Sequence, residues 1–421
     1  MLASLARREA HRLGLADEDL VPVGGLRRFA PALEGAALLA LAADDRHAEV
    51  LTGFSRLAIV RSVIAMSETS LRVETERGRL DIHVAVPELA GPALVWHTGR
   101  RLHTAWLQQR AAAMGMTFAD GRLRLANGST PEAPDEKTFY RLLDLPHIPP
   151  ELREGGDEID AAERGLIPPL VSTLHIRGDL HMHSTWSDGR DSIRHMVSSA
   201  RKLGYEYVAI TDHSERSWAS RKLLALEIPI QRQEIETVRA HAPGIEVLHG
   251  VEVDIMPDGS LDFDDEQLGE FDIVLASLHD AHGQDGARLT ERYLQAIHHP
   301  LVNIITHPAN RSPAMSDGYE VDFDRLFEAA VKTGTALEID GSPGHLDMDG
   351  RLARRAAAAG VTIVINSDCH RADALGRQMG FGVGTARRGW IGPEQVLNTR
   401  GVDEIRDFVA RKRRHGQKAV S

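Results

Sequence analysis

Cysteine is nearly missing from this chain, with one residue in 421, so no intrachain disulfide can form and no oxidising compartment is indicated. Aromatic residues are scarce at 5%, which leaves little for a stacking surface along single-stranded nucleic acid. There is no surplus of positive charge. Lysine and arginine number 49 against 61 acidic residues, and the net charge of −12 excludes a uniformly basic nucleic-acid coat, leaving only local patches. No apolar run approaches the roughly 20 residues of a membrane span, and the N-terminus lacks a basic-then-apolar signal layout. A soluble, cytoplasmic protein without membrane contact is expected. The remaining composition, 42% hydrophobic and 26% charged, is ordinarily globular, and the length suits two or three domains. Histidine stands out. There are 21, seven before residue 176 and fourteen from there on.

The pattern divides the chain into a first region at 1–150, a linker at 151–176 and a second region at 177–421. The linker expectation rests on the prolines and dense acidic residues between Pro146 and Leu170. In the first region Ser4–Leu13 and Leu102–Met114 read as helices, Ala36–Ala42 is apolar, and Ser70–Glu76 with Arg79–Val86 reads as a hairpin around Arg77-Gly78. This is a small α+β unit. The second region repeats an apolar run, a polar cluster and a helical segment. The runs are Gly178–Ser184, Tyr207–His213, Glu246–Asp254, Phe271–His279, Val302–His307, Thr335–Asp340 and Thr362–His370. Helix-like spacing occupies Ser192–Leu203, Asp322–Thr333 and Asp349–Ala359. Seven strands alternating with helices predict parallel strands in an α/β barrel, with an open doubly wound sheet as the alternative.

Chemistry concentrates where the runs stop. Their ends carry His181-Met182-His183 followed by Ser187-Asp188-Gly189, then Thr211-Asp212-His213, Gly250-Val251-Glu252, Ser277-Leu278-His279, His307-Pro308 and Asp368-Cys369-His370. The carboxyl ends of parallel strands share one face, so these groups converge on one mouth. Residues two apart on a strand point the same way. His181 and His183 therefore face one cavity, as do Asp368 and His370, while Cys369 points away as a packing residue. Asp212 reads as a carboxylate supporting a ligand rather than as one itself. A lone histidine after a strand is usually a structural hydrogen-bonder, but nine His, Asp and Glu groups at successive strand ends are not explained that way. Nine ligands are too many for one ion and suit two or three divalent metals. Imidazole and carboxylate without thiolate point to Mn²⁺, Zn²⁺ or Fe²⁺. Two ions about 4 Å apart characterise phosphoester hydrolysis.

In this order the motifs resemble the PHP (polymerase and histidinol phosphatase) family across essentially all of 177–400. The resemblance implies a distorted seven-stranded β/α barrel with a trinuclear centre, for which Mn²⁺ is the first expectation. Carried over by motif, His181, His183, Glu252 and Asp368 would hold the first ion. Glu252, His279 and His307 would hold the second, and Asp188, His213 and His370 the third. A metal-bound hydroxide would be the nucleophile, and Arg311 would clamp a substrate phosphate through paired donors. Ile176-Arg177-Gly178-Asp179-Leu180-His181, Leu337-Glu338-Ile339, Ala386-Arg387-Arg388-Gly389-Trp390 and Leu397-Asn398-Thr399 are similar to the C-terminal PHP domain of bacterial family X DNA polymerases. Upstream, Val23-Gly24-Gly25-Leu26-Arg27-Arg28, Leu80-Asp81-Ile82 and Trp96-His97-Thr98-Gly99 resemble parts of their palm and thumb.

The departures shape the functional expectation. The metal-binding Asp-x-Asp pair of such polymerases falls at Gly35 and Ala37, and neither can ligate a metal. Asp81 alone cannot hold two ions. The chain also starts at the palm, without the helix–hairpin–helix region that normally comes first. Polymerase activity is expected to be lost. The segment Glu338-Ile339-Asp340-Gly341-Ser342-Pro343-Gly344-His345 departs where polymerase relatives have asparagines and an arginine, which bears on the substrate rim. The resulting expectation is a phosphoesterase acting on DNA ends, by 3′→5′ exonuclease, 3′-phosphatase or abasic-site chemistry. The alternatives are a small-molecule phosphatase on nucleoside monophosphates or histidinol phosphate, and a non-catalytic DNA-binding or scaffold protein. The basic run Arg411–Arg414 reads as a solvated helix end.

Overall fold

Residues 2–313 and 315–420 are described by the structure, a computed structural model, and the chain divides between Ile167 and Pro168 into two units with separate apolar cores. Among the described residues, no helix is long and apolar enough to cross a membrane.

The first unit is built on a five-stranded sheet of β1 (Leu20–Val23), β2 (Gly35–Leu41), β3 (Val60–Met66), β4 (Ser70–Thr75) and β5 (Gly78–Ala85), in the order β1-β2-β5-β4-β3. β4 and β5 form the expected hairpin, with Gly78 at φ 99°, a conformation that glycine adopts without steric cost. The helix His47–Ser55 sends Val50, Leu51 and Phe54 against Leu38, Leu80 and Ile82 of the sheet. Further on, the helices Ala90–Thr98, Arg101–Ala113 and Glu136–Leu142 surround a short hairpin, β6 (Thr117–Ala119) with β7 (Arg122–Arg124). The ring of Phe118 there meets Trp96 edge-on and Phe139 at a tilt.

The stretch expected as a linker behaves differently up to residue 167. Arg153 is fully buried and donates to Glu136 (2.5 Å) and to the Ile148 carbonyl. Glu158, also buried, accepts from His103 (2.8 Å) and from the backbone N–H groups of Gly155 and Gly156, at the start of a helix spanning Glu158–Glu163. Composition suggested a solvated stretch. Paired buried charges instead hold it inside the first unit, because each charge finds its partner there.

The second unit holds seven parallel strands: β8 (Gly178–Asp179), β9 (Tyr207–Ile210), β10 (Glu246–Asp254), β11 (Ile273–Ser277), β12 (Ile304–Ile305), β13 (Ala336–Asp340) and β14 (Ile363–Asn366). They lie side by side in sequence order, one inside each of the seven runs. The expected helices form at Ile193–Lys202, Phe323–Thr333 and Gly350–Ala358. Ser192, Asp322 and Asp349 cap them by accepting from backbone N–H groups of the first turn.

Alternation along the strands makes two layers. Val208, Ile210, Val251, Val253, Val274, Ala276, Leu337, Ile339, Ile363 and Ile365 pack outward in one cluster with the helices. Tyr207, Ala209, Leu248, Ile273, Leu275, Ile304, Ala336 and Val364 form a second cluster inside. Ile405, Phe408 and Val409 of the C-terminal helix Val402–Val420 join that inner cluster and plug the amino end of the barrel. This helix consumes part of the basic run. Lys412 is buried and donates to the Ile297 carbonyl (2.6 Å), and Arg413 donates to the Phe271 carbonyl (2.7 Å). The solvated-end expectation therefore fails at these two residues, whose ammonium and guanidinium satisfy strand- and helix-end carbonyls.

The barrel is nearly closed rather than an open sheet. β8 and β14 do not pair as strands, but Met182 bridges Cys369 in parallel register, and the His183 N–H donates to the Cys369 carbonyl (3.0 Å). Two buried asparagines complete the seam. Asn366 accepts from the Leu180 N–H (3.0 Å). Asn398 accepts from the Ile365 N–H (3.1 Å) and donates to the carbonyls of Gly178 (2.8 Å) and Ile365 (2.5 Å). Replacing Asn398 by alanine strands these backbone groups away from water. The expected cost is about 3 kcal/mol of unfolding free energy, to be measured by urea denaturation, and an unchanged midpoint would remove Asn398 from the closure of the barrel.

Candidate metal centre

The inner face changes character along each strand. Leu248 is followed at two-residue spacing by Gly250 and Glu252, Ala336 by Glu338 and Asp340, and Val364 by Asn366 and Asp368. The apolar half fills the barrel and the polar half rings its mouth. Gly250 is required for the transition, because a Cβ there would lie 2.7 Å from the Thr211 methyl and 3.1 Å from the Ile210 carbonyl oxygen.

Glu252 is the hub. Its Oε2 lies 2.9 Å from His213 Nδ1, 3.3 Å from His181 Nε2 and 3.5 Å from His183 Nε2. Its Oε1 lies 3.0 Å from His307 Nε2 and 3.5 Å from His279 Nε2. Asp368 Oδ1 is 3.1 Å from His183 Nε2 and 3.6 Å from His181 Nε2. Asp188 Oδ1 is 3.2 Å from His370 Nε2 and 3.6 Å from His213 Nε2. All nine sequence-expected groups thus gather at one mouth. Three overlapping sets have ligand atoms within 4.8 Å of one another: His181, His183 and Asp368; His213, Glu252 and His279; and His183, Asp188, His213 and His370. His183 belongs to two of them, and its ring lies between His213 and His370 at 4.3 and 4.2 Å.

The donor chemistry fits divalent cations. His181 Nδ1 donates to Glu338 (2.8 Å), so its Nε2 lone pair faces the mouth, only 3.1 Å from His183 Nε2. His279 Nδ1 donates to Asp254 in the same way. The buried oxygens Glu252 Oε2 and Asp188 Oδ1 have imidazole nitrogens 2.9 and 3.2 Å away but no aligned hydrogen-bond donor. A cation satisfies such acceptors where protein groups do not. His307 and Asp368 also adopt left-handed backbone conformations, with φ of 26° and 47°. For His307 the strained turn is held by its own N–H, which donates to Glu338 Oε2 (2.9 Å).

From β13, Glu338 thus ties together the ends of β8, β12 and β14, since it also accepts from Asn366 (2.8 Å). Nothing in the linear sequence distinguishes this supporting role. Asp212 differs from expectation in its partners. It accepts from the N–H and hydroxyl groups of Ser184 and Ser187 and from Gln231, so it orders the turn that delivers Asp188 and supports no histidine. Gly189 completes that turn, where a Cβ would sit 2.6 Å from the His183 carbonyl carbon. Cys369 is buried, with its thiol donating to the Arg371 carbonyl. Arg311 is not among the residues that line the cavity at the mouth, and its Nη1 lies 3.6 Å from Asp349.

The cavity at the mouth measures about 240 Å³ and is lined by Asp188, His213, Trp218, Ala219, Glu252, His279, His307, His345, Asp368 and His370. His345 was singled out in the sequence only as a departure. It stacks on His307 at 4.8 Å and forms a fourth set with Asp340 and Asp368.

Without cations the cluster is electrostatically divided. Burial works against a charge on His279, yet the Asp254 hydrogen bond and Glu252 push it up to about 9. His370 rises to about 9, again against burial, through Asp368 and Asp188. Burial and the neighbouring His370 and His213 lower His183 to about 3. Burial and His307 lower His345 to about 4. His181 is likewise raised, against burial, through Glu338 and Glu252, so three imidazoles of the cluster favour a proton when no cation is bound.

Similarity to known proteins runs along both units. Residues 179–340 match the PHP domain, and residues 93–154 match the DNA polymerase beta thumb. The chain is 38% identical over 374 residues to the DNA polymerase/3′-5′ exonuclease PolX of Bacillus subtilis (strain 168), covering 88% of this chain. It spans 65% of that relative's length. A "Probable phosphatase" of Thermoanaerobacter sp. (strain X514) is 31% identical over 249 residues, 56% of this chain and 95% of that protein. Another from Syntrophotalea carbinolica is 28% identical over 250 residues, 57% of this chain and 98% of its own length.

Metal loading must displace the protons on His279 and His370. Both histidines are protonated below about pH 9 in the metal-free protein and neutral above it. Cation affinity should therefore rise with pH through neutrality and up to about 9, with protons released on loading near neutrality. Calorimetry in buffers of different ionisation enthalpy measures this release, and an identical heat in every buffer near neutrality would contradict it.

Proposed function

We propose that this chain, which belongs to the PHP family and is a metal-dependent phosphoesterase, acts on DNA ends as a 3′→5′ exonuclease, 3′-phosphatase or abasic-site processing enzyme in DNA repair. The observation that carries the reading is the Glu252 carboxylate, with one oxygen toward His181, His183 and His213 and the other toward His279 and His307. That is the disposition a bridging ligand between two ions requires. The similarity to PolX of Bacillus subtilis over 88% of this chain supports DNA as the substrate class.

In this reading His181, His183, Glu252 and Asp368 hold one ion, and Glu252, His279 and His307 a second. Asp188, His213 and His370 hold a third, with Mn²⁺ the first candidate at all three positions. Bound ions of this kind supply Lewis acidity and lower the pKa of coordinated water. The chain's own residues supply orientation. Glu338 and Asp254 hold the imidazoles of His181 and His279 through Nδ1. Asp212 fixes the turn carrying Asp188. Arg311 is assigned as the phosphate clamp, because its Nε has no hydrogen-bond partner and its loose pairing with Asp349 can be exchanged for a phosphate contact.

We further propose that polymerisation has been lost. The strand register sets Ala37 beside Asp81, so the neighbouring strand offers no carboxylate there. Asp81 pairs instead with Arg72 (2.6 Å) and Arg79 (3.4 Å). Arg27, in the segment that resembles the polymerase palm, makes a two-pronged contact with Glu136, both bonds at 2.8 Å. The thumb match describes retained architecture, and the loss rests on these residues alone. A second reading, a phosphatase for nucleoside monophosphates, is favoured by the "Probable phosphatase" relatives, which the chain covers almost completely.

The test is an Mn²⁺-supplemented assay on 5′-labelled single-stranded, gapped and abasic DNA beside a panel of mononucleotides. Laddered or 3′-trimmed DNA is expected, without primer extension, and with a steep decline as salt rises. The variant His181→Ala with His183→Ala should lose about 10³-fold or more, because metal stabilisation of the transition state is worth several kcal/mol. Retained turnover in that variant overturns the assignment of the centre. Phosphate release from mononucleotides alone transfers the function to the second reading.

A further inference from the structure

The loop after His213 ends in a feature that the metal chemistry does not use. Of the five tryptophans, Trp218 alone is exposed among the described residues, at 75%. It also lines the metal cavity together with Ala219. Its exposed indole stands at the mouth that opens onto the ligand cluster.

The backbone beneath it is not loose. Ser217 is buried, its N–H donates to the Ser214 carbonyl (3.2 Å), and its hydroxyl accepts from the Ala219 N–H (3.3 Å). The Leu223 N–H donates to the His213 carbonyl (2.8 Å), which ties the far end of the loop to a ligand-bearing strand end. The indole is thus carried on a short, pinned loop rooted beside His213. Three and four residues further along the same loop, Arg221 and Lys222 have no ion-pair or hydrogen-bond partner among the described residues, although the chain is strongly acidic. An aromatic face with adjacent free cations is the chemistry that recognises a nucleotide, the base by stacking and the phosphates by charge.

We propose that Trp218 is the stacking platform for the nucleobase adjoining the scissile phosphoester at a DNA 3′ end, with Arg221 and Lys222 facing the neighbouring phosphates. This deepens the DNA-end reading and rests on it. Stacking of this kind tolerates any base, so the platform selects for the presence of a base and not for its identity. Trp218 is then a positioning residue. It sets KM for base-bearing ends while the reacting phosphorus is handled at the metal centre.

The test is a cycle between the protein and its substrate. Kinetics are measured for the wild type, Trp218→Ala and Trp218→Phe on two oligonucleotides, one with an ordinary 3′-terminal nucleotide and one whose terminal sugar lacks its base. The wild type should favour the base-bearing end in KM by about tenfold or more. Trp218→Ala should erase that preference with little change in kcat, and Trp218→Phe should restore most of it. A preference that persists in Trp218→Ala, or no preference in the wild type, overturns the proposal. A second readout needs no turnover: deoxyadenosine monophosphate should quench tryptophan emission in the wild type and not in Trp218→Phe. Equal quenching in both, or none in the wild type, also overturns it. If DNA is not cleaved but this quenching appears, the DNA-end reading fails while base stacking at Trp218 stands.

Discussion

One carboxylate surrounded by imidazoles governs this barrel. Glu252 is buried within 3.5 Å of five histidines, and Asp368 and Asp188 press into the same space. Ligands this close repel or leave lone pairs unsatisfied unless positive charge lies among them. The metal-free cluster favours that charge as protons on His181, His279 and His370, and cations would supply it in a loaded cluster. Of the other buried acids at the mouth, Glu338 and Asp254 are held by His181 and His279, while burial pushes the Asp340 carboxyl up toward its neutral form.

The rest of the second unit serves that ring. Apolar residues occupy the amino half of the inward faces, and Ile405, Phe408 and Val409 of the C-terminal helix pack into the same cluster. The barrel must also close for His181 and His183 to meet Asp368 and His370, which stand on the first and last strands. Two short strands cannot hold that seam by ladder bonds. Asn366 and Asn398 do so with side-chain amides, which both donate and accept across a gap too irregular for regular pairing.

The first unit shows how charged machinery can be absorbed into structure. Arg27, Arg153 and Glu136 form a buried network, with His103 and Glu158 behind it. These pairings neutralise an arginine that resembles a phosphate-reading group. They also draw residues 151–167 into the unit, so the boundary falls at Pro168 rather than within a free linker.

Much of the second unit was legible from residue order alone, because strand periodicity of two and helical spacing repeat seven times. The same periodicity puts both histidines of His181-Met182-His183 on one side, so the nine candidate ligands could be named without coordinates. Pairings distant in sequence were not legible. Glu338 supports His181 across 157 positions, Asn398 bridges to Gly178 across 220, and Asp212 serves a turn instead of its neighbour His213. His345 stood out only within a segment that departs at the substrate rim, and Trp218 carried no signal in the sequence; the fold set both on the cavity wall. Local pattern decides which residues can face inward, since it depends only on backbone geometry. Which of them meet, and which polar atoms are left for a cation or a substrate, is decided by tertiary closure, which brings together groups that have no relation along the chain.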